Sequence, residues 1–305
     1  MVVTMKNNSI KAYVLSCWFK LYDIIRMHRI KKEYSLHIMT SEQTIAHIKK
    51  TNCSIARYGD GEFDLMMQTC AENYQKLSES LSHSLQNVFR NQSEQLLICL
   101  PYPMVSTKKL KLHGKEFWRG WCLNRQERIV SELRTLVHDE YLYGDAFVSR
   151  PYSGYRSDKY SEKIFTLLKE LWADKNIIFV EGEKTRLGVG NDLFSNAKSI
   201  KRILCPATNA FDVYDKILNT TVSCWNDELV ILALGPTATV LASDLSKFGI
   251  QALDLGHIDI QYEWFLSGAS FVPVKGKYTN ETLDGRHPEE CNDEVYLSQI
   301  IAQIR

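Results

Sequence analysis

The order of apolar and turn residues predicts an α/β chain, a single large domain on a Rossmann-like, mostly parallel sheet with helices on both faces and an N-terminal helical extension. Three observations carry this. Short β-branched or aliphatic runs alternate with segments of helical periodicity, the pattern of strands joined by crossover helices. Those runs are followed by glycine, acidic or small polar residues. The 305 residues, 45% of them apolar, can bury a substantial core, with no repeat or low-complexity linker to divide them.

The elements follow in order. Residues 1–39 form a basic amphipathic extension: Ala12 to Ile25 is rich in Tyr, Val, Leu, Trp, Phe and Ile and is surrounded by Lys11, Lys20, Arg26, Arg29, Lys31 and Lys32. Such a helix suits peripheral contact with the anionic inner face of a membrane, or docking on a protein core, the commoner use. Thr40 and Gln43 make a capping box for a helix bearing Ile45 and Ile48, and Ser54 to Tyr58 is the first strand of the main domain, residues 40–280. Leu77, Leu81, Leu85 and Val88 mark a helical face, Leu96 to Leu100 a strand stopped by Pro101, and Ile129, Leu133 and Leu136 another helix. Asp145 to Ser149 reads as the third strand. After a helix carrying Ile164, Leu167, Leu168 and Leu171 come strands at 177–180, 202–205, 229–234 and 251–255. Residues 281–305 read as a helical tail.

Lys and Arg number 37 against 36 Asp and Glu, so the net charge of +1 excludes a dedicated nucleic-acid binder and any anion site is local. Eight cysteines are scattered without a C-x-x-C pair, several inside apolar runs, which fits reduced, buried thiols of a cytoplasmic protein. No apolar stretch reaches the roughly 20 residues of a bilayer span, and no cleavable leader with a small-residue site opens the chain.

The segments that follow the strands converge on one edge if the sheet is parallel, and open α/β sheets bind ligands in the crevice outside it. Asp60 and Glu62, between Gly59 and Gly61, offer two hard oxygen ligands for a divalent cation. Equally, the pair can simply favour the start of the helix bearing Phe63, Met66 and Met67. The stretch from Glu181 to Asp192 is glycine-rich and precedes the helix-like run Leu193 to Ala197. Gly188 and Gly190 let a backbone approach phosphate, Asn191 and Asp192 sit where that helix would start, and Arg186 offers a forked guanidinium. It is neither G-x-G-x-x-G nor a P-loop, which argues against a standard dinucleotide enzyme or ATPase. Gly235, Thr237 and Thr239 open a helix after a buried strand, either to face an anion or to cap and pack. Arg57, Arg150, Lys275 and Lys277 are the candidate cations around that edge, Arg57 and Arg150 the better placed, able to meet a ligand or to pair with the same carboxylates. His257, Asp259, Tyr262, Glu263 and Trp264 form a polar and aromatic cluster after the last strand. A base or a satisfied structural histidine suits His257, and a sugar platform or core aromatics suit Tyr262 and Trp264.

Together Ala56 to Glu62, Ser149 to Tyr152, Gly188 to Phe194, Leu234 to Thr239 and Asp254 to Asp259 resemble the GT-D-type glycosyltransferases, over roughly residues 40 to 280. The resemblance implies a single Rossmann-like domain, a UDP-sugar donor with UDP-glucose the best guess, a glycan or glycoprotein acceptor, and Mn²⁺ or Mg²⁺ held by an Asp-x-Glu motif. Asp60-Gly61-Glu62 fits that motif. A second place where the family looks like Asp-x-Glu reads Asp259-Ile260-Gln261, so Gln261 departs from the pattern and leaves open a non-catalytic nucleotide-sugar-binding or assembly subunit. The expected site therefore has Asp60 and Glu62, with Asp259, on the cation. Arg57, Arg186 and the amides from Gly188 to Asn191 offset the nucleotide's charge, and Asp259, Glu263 or His257 takes the acceptor proton. Another Rossmann-type transferase is the rival enzyme, without its glycine fingerprint.

Overall fold

The computed structural model describes residues 21–137 and 140–305. One sheet contains β1 (His37–Ile38), β2 (Ser54–Arg57), β3 (Leu96–Leu100), β4 (Leu142–Asp145), β5 (Asn176–Gly182), β6 (Ser199–Cys205), β7 (Leu229–Ala233), β8 (Ala252–Asp254) and β9 (Ile300–Gln303). The spatial order is β1-β4-β3-β2-β8-β7-β5-β6-β9. Every neighbouring pair is parallel. The crossovers use α1 (Ser41–Thr51), α2 (Asp60–Met66), α3 (Glu79–Arg90), α4 (Leu112–Trp121), α5 (Glu127–Leu136), α6 (Asp158–Trp172), α7 (Tyr214–Cys224), α8 (Pro236–Lys247), α9 (Ile258–Ser267) and, before the last strand, α10 (Glu294–Ser298).

Alternation within the strands explains the two layers. Ile178 and Val180 of β5 pack on one face with Val230 and Leu232 of β7, under Leu81 and Leu85 of α3 and Leu241 of α8. Ile177, Phe179 and Ile231 face the other way, under Ile45 of α1, Ile164 and Leu168 of α6 and Tyr262 of α9. A sheet covered on both faces needs near-continuous apolar strands, which is why Leu96–Leu100 and Leu229–Ala233 are readable from sequence. The capping box is formed: Gln43 N donates to Thr40 Oγ1 at 3.3 Å, and Thr40 N to Gln43 Oε1 at 2.9 Å.

Several boundaries differ from expectation. Residues 146–149 are not strand: β4 ends at Asp145, whose carboxylate accepts from Phe147 N at 2.8 Å and Tyr102 N at 3.2 Å and turns the chain into a 3-10 turn. Residues 193–196 form turns, and no helix covers 193–197. The tail expected to be helical contains the five-residue α10 and then β9, which pairs with β6 and extends the sheet. The two-residue β1 is too short to leave a periodic signal. Much of the expected amphipathic helix, Ala12 to Lys20, lies outside the described residues. The chain is helical from 21 to 33, with Ile30 buried and Leu21, Tyr22, Ile24 and Ile25 exposed. Among the described residues no helix is long and apolar enough to cross a membrane.

Candidate active site

The carboxyl ends of β2 to β8 surround a cavity of about 680 Å³, reached by Gly59, Pro101, Ala146, Gly182, Pro206, Ala233 and Gly256 from seven strand ends. Parallel strands bring these distant segments to one edge, as the sequence required.

One wall is acidic. Asp60 is exposed at the start of α2, and Glu62 turns back to accept from Gly59 N at 2.7 Å, so its helix-capping role is real. Glu72, which no sequence pattern singled out, joins them. A short antiparallel bridge between Glu72 and Gln75 folds the chain back, and a Cβ on Gly61 would come within 2.9 Å of Glu72 Oε1. Neither Asp60 nor Glu72 forms a side-chain hydrogen bond or ion pair with the described residues. Burial, then repulsion from Asp60, Glu62 and Asp64, pushes Glu72 up to about 7. Burial likewise raises Glu62, against the attraction of Arg57.

The neighbouring cations are held by other carboxylates. Arg57 donates from Nη2 to Asp254 Oδ1 at 2.9 Å and from Nε to Asp254 O at 2.6 Å, and Thr239 Oγ1 donates to Arg57 O at 2.9 Å. Gly256, at φ +44°, makes room: a Cβ there would lie 2.3 Å from Arg57 Nη2. Arg150 Nη1 lies 3.1 Å from Glu281 Oε1, and His257 Nε2 2.6 Å from Glu281 Oε2. Burial disfavours the Glu281 carboxylate, but His257 and Arg150 outweigh it and hold the group well below the usual carboxylate range. Arg57, Arg150, His257 and Glu281 all line the cavity. Glu281 lies just beyond the expected domain limit and gives no sequence signal.

The glycine-rich loop behaves differently from its expected phosphate-binding role. Gly188 N donates to Asp259 Oδ1 at 2.9 Å, Asn191 Nδ2 donates to the same oxygen at 2.8 Å, and Lys277 Nζ reaches Asp259 Oδ2 at 2.6 Å. Asp259, 1% exposed, thus has both oxygens taken by donors, although it borders the cavity. Glu263 is bound by Asn191 and Lys277 at 2.7 and 2.9 Å. Arg186 is buried and donates to the carbonyls of Gly276 and Glu289 at 2.6 and 2.7 Å. Asp192 meets Lys169 and Tyr262. Arg186, Gly188, Gly190, Asn191, Asp192 and Glu263 are not among the residues that line the cavity, and with no helix following, the loop has no helix N-terminus to offer.

The remaining candidates divide similarly. Gly235, at φ +54°, lines the cavity against Tyr74, whereas Thr237 and Thr239 are fully buried in α8. Gln261 accepts from Ser153 N at 2.8 Å and donates to Ser153 Oγ at 2.9 Å, so it secures the 151–154 turn and does not line the cavity. Tyr262 and Trp264 are core aromatics. The rings that border the cavity are instead Tyr74, His113, Phe117, Trp118, Phe147, His257, Phe271 and Tyr278.

By donor chemistry Asp60, Glu62 and Glu72 are hard carboxylate oxygens of the kind a divalent cation takes, and the nearest arginines are already paired with other carboxylates. Among the described residues no three His, Cys, Asp or Glu side chains stand together as a formed metal-binding group.

Residues 55–282 match the family model described as the glycosyltransferase GT-D fold. The chain is 35% identical over 275 residues to a probable glycosyl transferase Gly of Streptococcus gordonii, covering 90% of this chain and 39% of that protein. It is 35% identical over 265 residues to glycosyltransferase GlyD of Streptococcus pneumoniae serotype 4, covering 86% and 32%. The chain therefore spans less than half the length of these relatives. A solved domain of unknown function 1792, described as having a distinct glycosyltransferase fold, superposes with a TM-score of 0.84 at 36% identity, over 93% of this chain and 100% of that one. A glycosyltransferase of the same domain type from Streptococcus sanguinis superposes with a TM-score of 0.81 at 35% identity, over 88% and 100%.

Proposed function

The chain belongs to the glycosyltransferases of the GT-D fold, and from that premise we propose that it transfers a sugar, glucose by preference, from a UDP-sugar to a hydroxyl of a glycan or glycoprotein acceptor in the cavity at the sheet edge. The observation that carries this reading is the make-up of the cavity lining: Asp60 and Glu72, which form no side-chain hydrogen bond or ion pair among the described residues, share it with Arg150. Asp60 and Glu62 would hold Mn²⁺ or Mg²⁺, with Glu72 beside them. The chemistry such a cation supplies is neutralisation of the diphosphate as negative charge grows on the leaving nucleotide.

The chain's own residues do the rest. Arg150 and Arg57, each fixed by a carboxylate, present oriented positive charge to the donor, and preorganised charge of this kind needs no rearrangement during reaction. The N-terminus of α8 at Gly235 adds a favourable partial charge for an anion. Of the three groups considered for the acceptor proton, His257 suits the task best. It borders the cavity and is oriented by Glu281, whereas both oxygens of Asp259 are occupied and Glu263 lies outside the lining. The N-terminal extension, with its exposed Leu21, Tyr22, Ile24 and Ile25, is a candidate peripheral contact with a membrane.

The test is incubation of the purified protein with UDP-glucose, with and without Mn²⁺, measuring UDP release and thermal shift together. Metal-dependent release that disappears in Asp60→Ala and Glu62→Ala supports the assignment. Near-normal turnover in both variants would refute it.

A further inference from the structure

The cavity mouth carries a second built feature, formed by α4 and the loop after α9. His113 and Phe117 stand four residues apart, so they share a side of α4, and both are exposed while lining the cavity, with Phe117 at 51%. Trp118 next to them is buried and packs on Phe147 with ring centroids 5.6 Å apart. Across the mouth Phe271, 45% exposed, meets the His113 ring edge-on at 5.4 Å.

Phe271 is not placed there by chance packing of a loose loop. Its φ is +59°, a conformation that bulky side chains rarely adopt and that persists only where surroundings hold it. The surroundings are visible. The fully buried Trp264 packs on the Phe271 ring at 5.4 Å, and its Nε1 donates to Val272 O at 2.9 Å. The same indole lies 6.2 Å from the His257 ring, which ties the position of the rim to the reactive end of the cavity.

We propose that His113, Phe117 and Phe271 form the subsite for the acceptor saccharide, a pyranose ring laid with its C–H face against the aromatic rim. The proposal rests on the glycosyl-transfer reading above. Charged diphosphate belongs with the cationic groups at the strand ends, whereas exposed uncharged rings suit a neutral sugar. A sugar ring offers one apolar face and polar edges, matching rings interleaved with the hydroxyl of Tyr278 and the amide of Asn280 on the same lining. The competing use, stacking of the nucleobase, would set the base on rings left 51% and 45% exposed, and the test below separates it from the sugar.

Saturation-transfer NMR with hexose oligosaccharides of two to four units, in the presence of UDP and Mn²⁺, reads the subsite directly. The expected result is transfer to sugar C–H protons in the wild type, an apparent Kd raised at least tenfold in Phe117→Ala and Phe271→Ala, and recovery in Phe117→Tyr. The thermal shift caused by UDP-glucose should be equal in all of them. Absence of transfer in the wild type, transfer intact in both alanine variants, or loss of the UDP-glucose shift in those variants would each overturn the proposal, the last by assigning the rings to the nucleobase. Failure of the wild type to respond to UDP-glucose at all would instead defeat the donor reading on which it rests.

Discussion

The turn after β2 and the loop after β5 carry the same kinds of residue, glycines among acidic and basic side chains, at the same edge of the same sheet. Their charges end differently. In the loop and the segments it meets, Asp259 and Glu263 are closed by Lys277, Asn191 and a backbone amide, and Arg186 is buried with one nitrogen, Nη1, donating to two carbonyls. At the turn and just beyond it, Asp60 and Glu72 line the cavity with no side-chain hydrogen bond or ion pair among the described residues. A carboxylate matched inside the fold stabilises structure, and one left unmatched at a cavity is available to a ligand. Residue type alone does not separate the two.

The largest effect expected from this contrast is on the matched side. Lys277 and Asp259 are both nearly inaccessible, so Lys277→Met leaves a buried carboxylate without its cation and should cost about 3–5 kcal/mol of unfolding free energy in a urea titration. A loss below about 1 kcal/mol would mean that the pair is not structural. On the unmatched side Asp60→Ala should leave the urea midpoint unchanged while reducing UDP release by about a hundredfold or more, as expected when a group serving charge stabilisation is removed. A smaller effect separates the fixed cation from both: Gly256→Ala drives a Cβ into Arg57 at φ +44° and should destabilise by about 1–3 kcal/mol, measured by the same titration.

The smallest effect is in pH dependence, and its two contributions have opposite signs. Glu72 is raised from its ordinary 4.5 to about 7, so between those values the folded protein keeps a proton that the unfolded chain has released. Metal-free stability should therefore fall as pH rises through that window, and Glu72→Gln should flatten this part of the curve. Glu281 is depressed, so its contribution is present above its ordinary value of 4.5 and is lost as pH falls below it, with Glu281→Gln removing the acid limb. Both curves come from thermal unfolding in EDTA across pH 3 to 8.

Much of the sheet is legible because burial on both faces writes itself into local sequence. Leu96–Leu100 and the capping box at Thr40 need only neighbouring residues to be read. The 146–149 turn escapes a sequence reading because its decisive contact, the Asp145 carboxylate, is also an ordinary acidic residue in a strand-like run. Of the cavity lining, Asp60, Glu62, Arg57, Arg150 and His257 are legible, all close after strands or at their ends, where topology alone brings them together. Glu72, Glu281 and Phe271 reach the cavity through excursions of the chain, so their membership depends on long-range packing that no motif records. The glycine-rich loop misleads for a related reason. Asp259 is closed by Lys277 and by the Gly188 amide, which reach it from two other segments of the chain only once the fold is complete.

The most direct test of the central claim, that the acidic turn after β2 receives the donor's cation, is the thermal shift of the wild type and Asp60→Ala with UDP-glucose and Mn²⁺ together. A ligand that binds only the folded state raises apparent stability by mass action. The account predicts equal melting temperatures without ligand, a clear rise in the wild type, and little or none in the variant. An equal rise in both would contradict it.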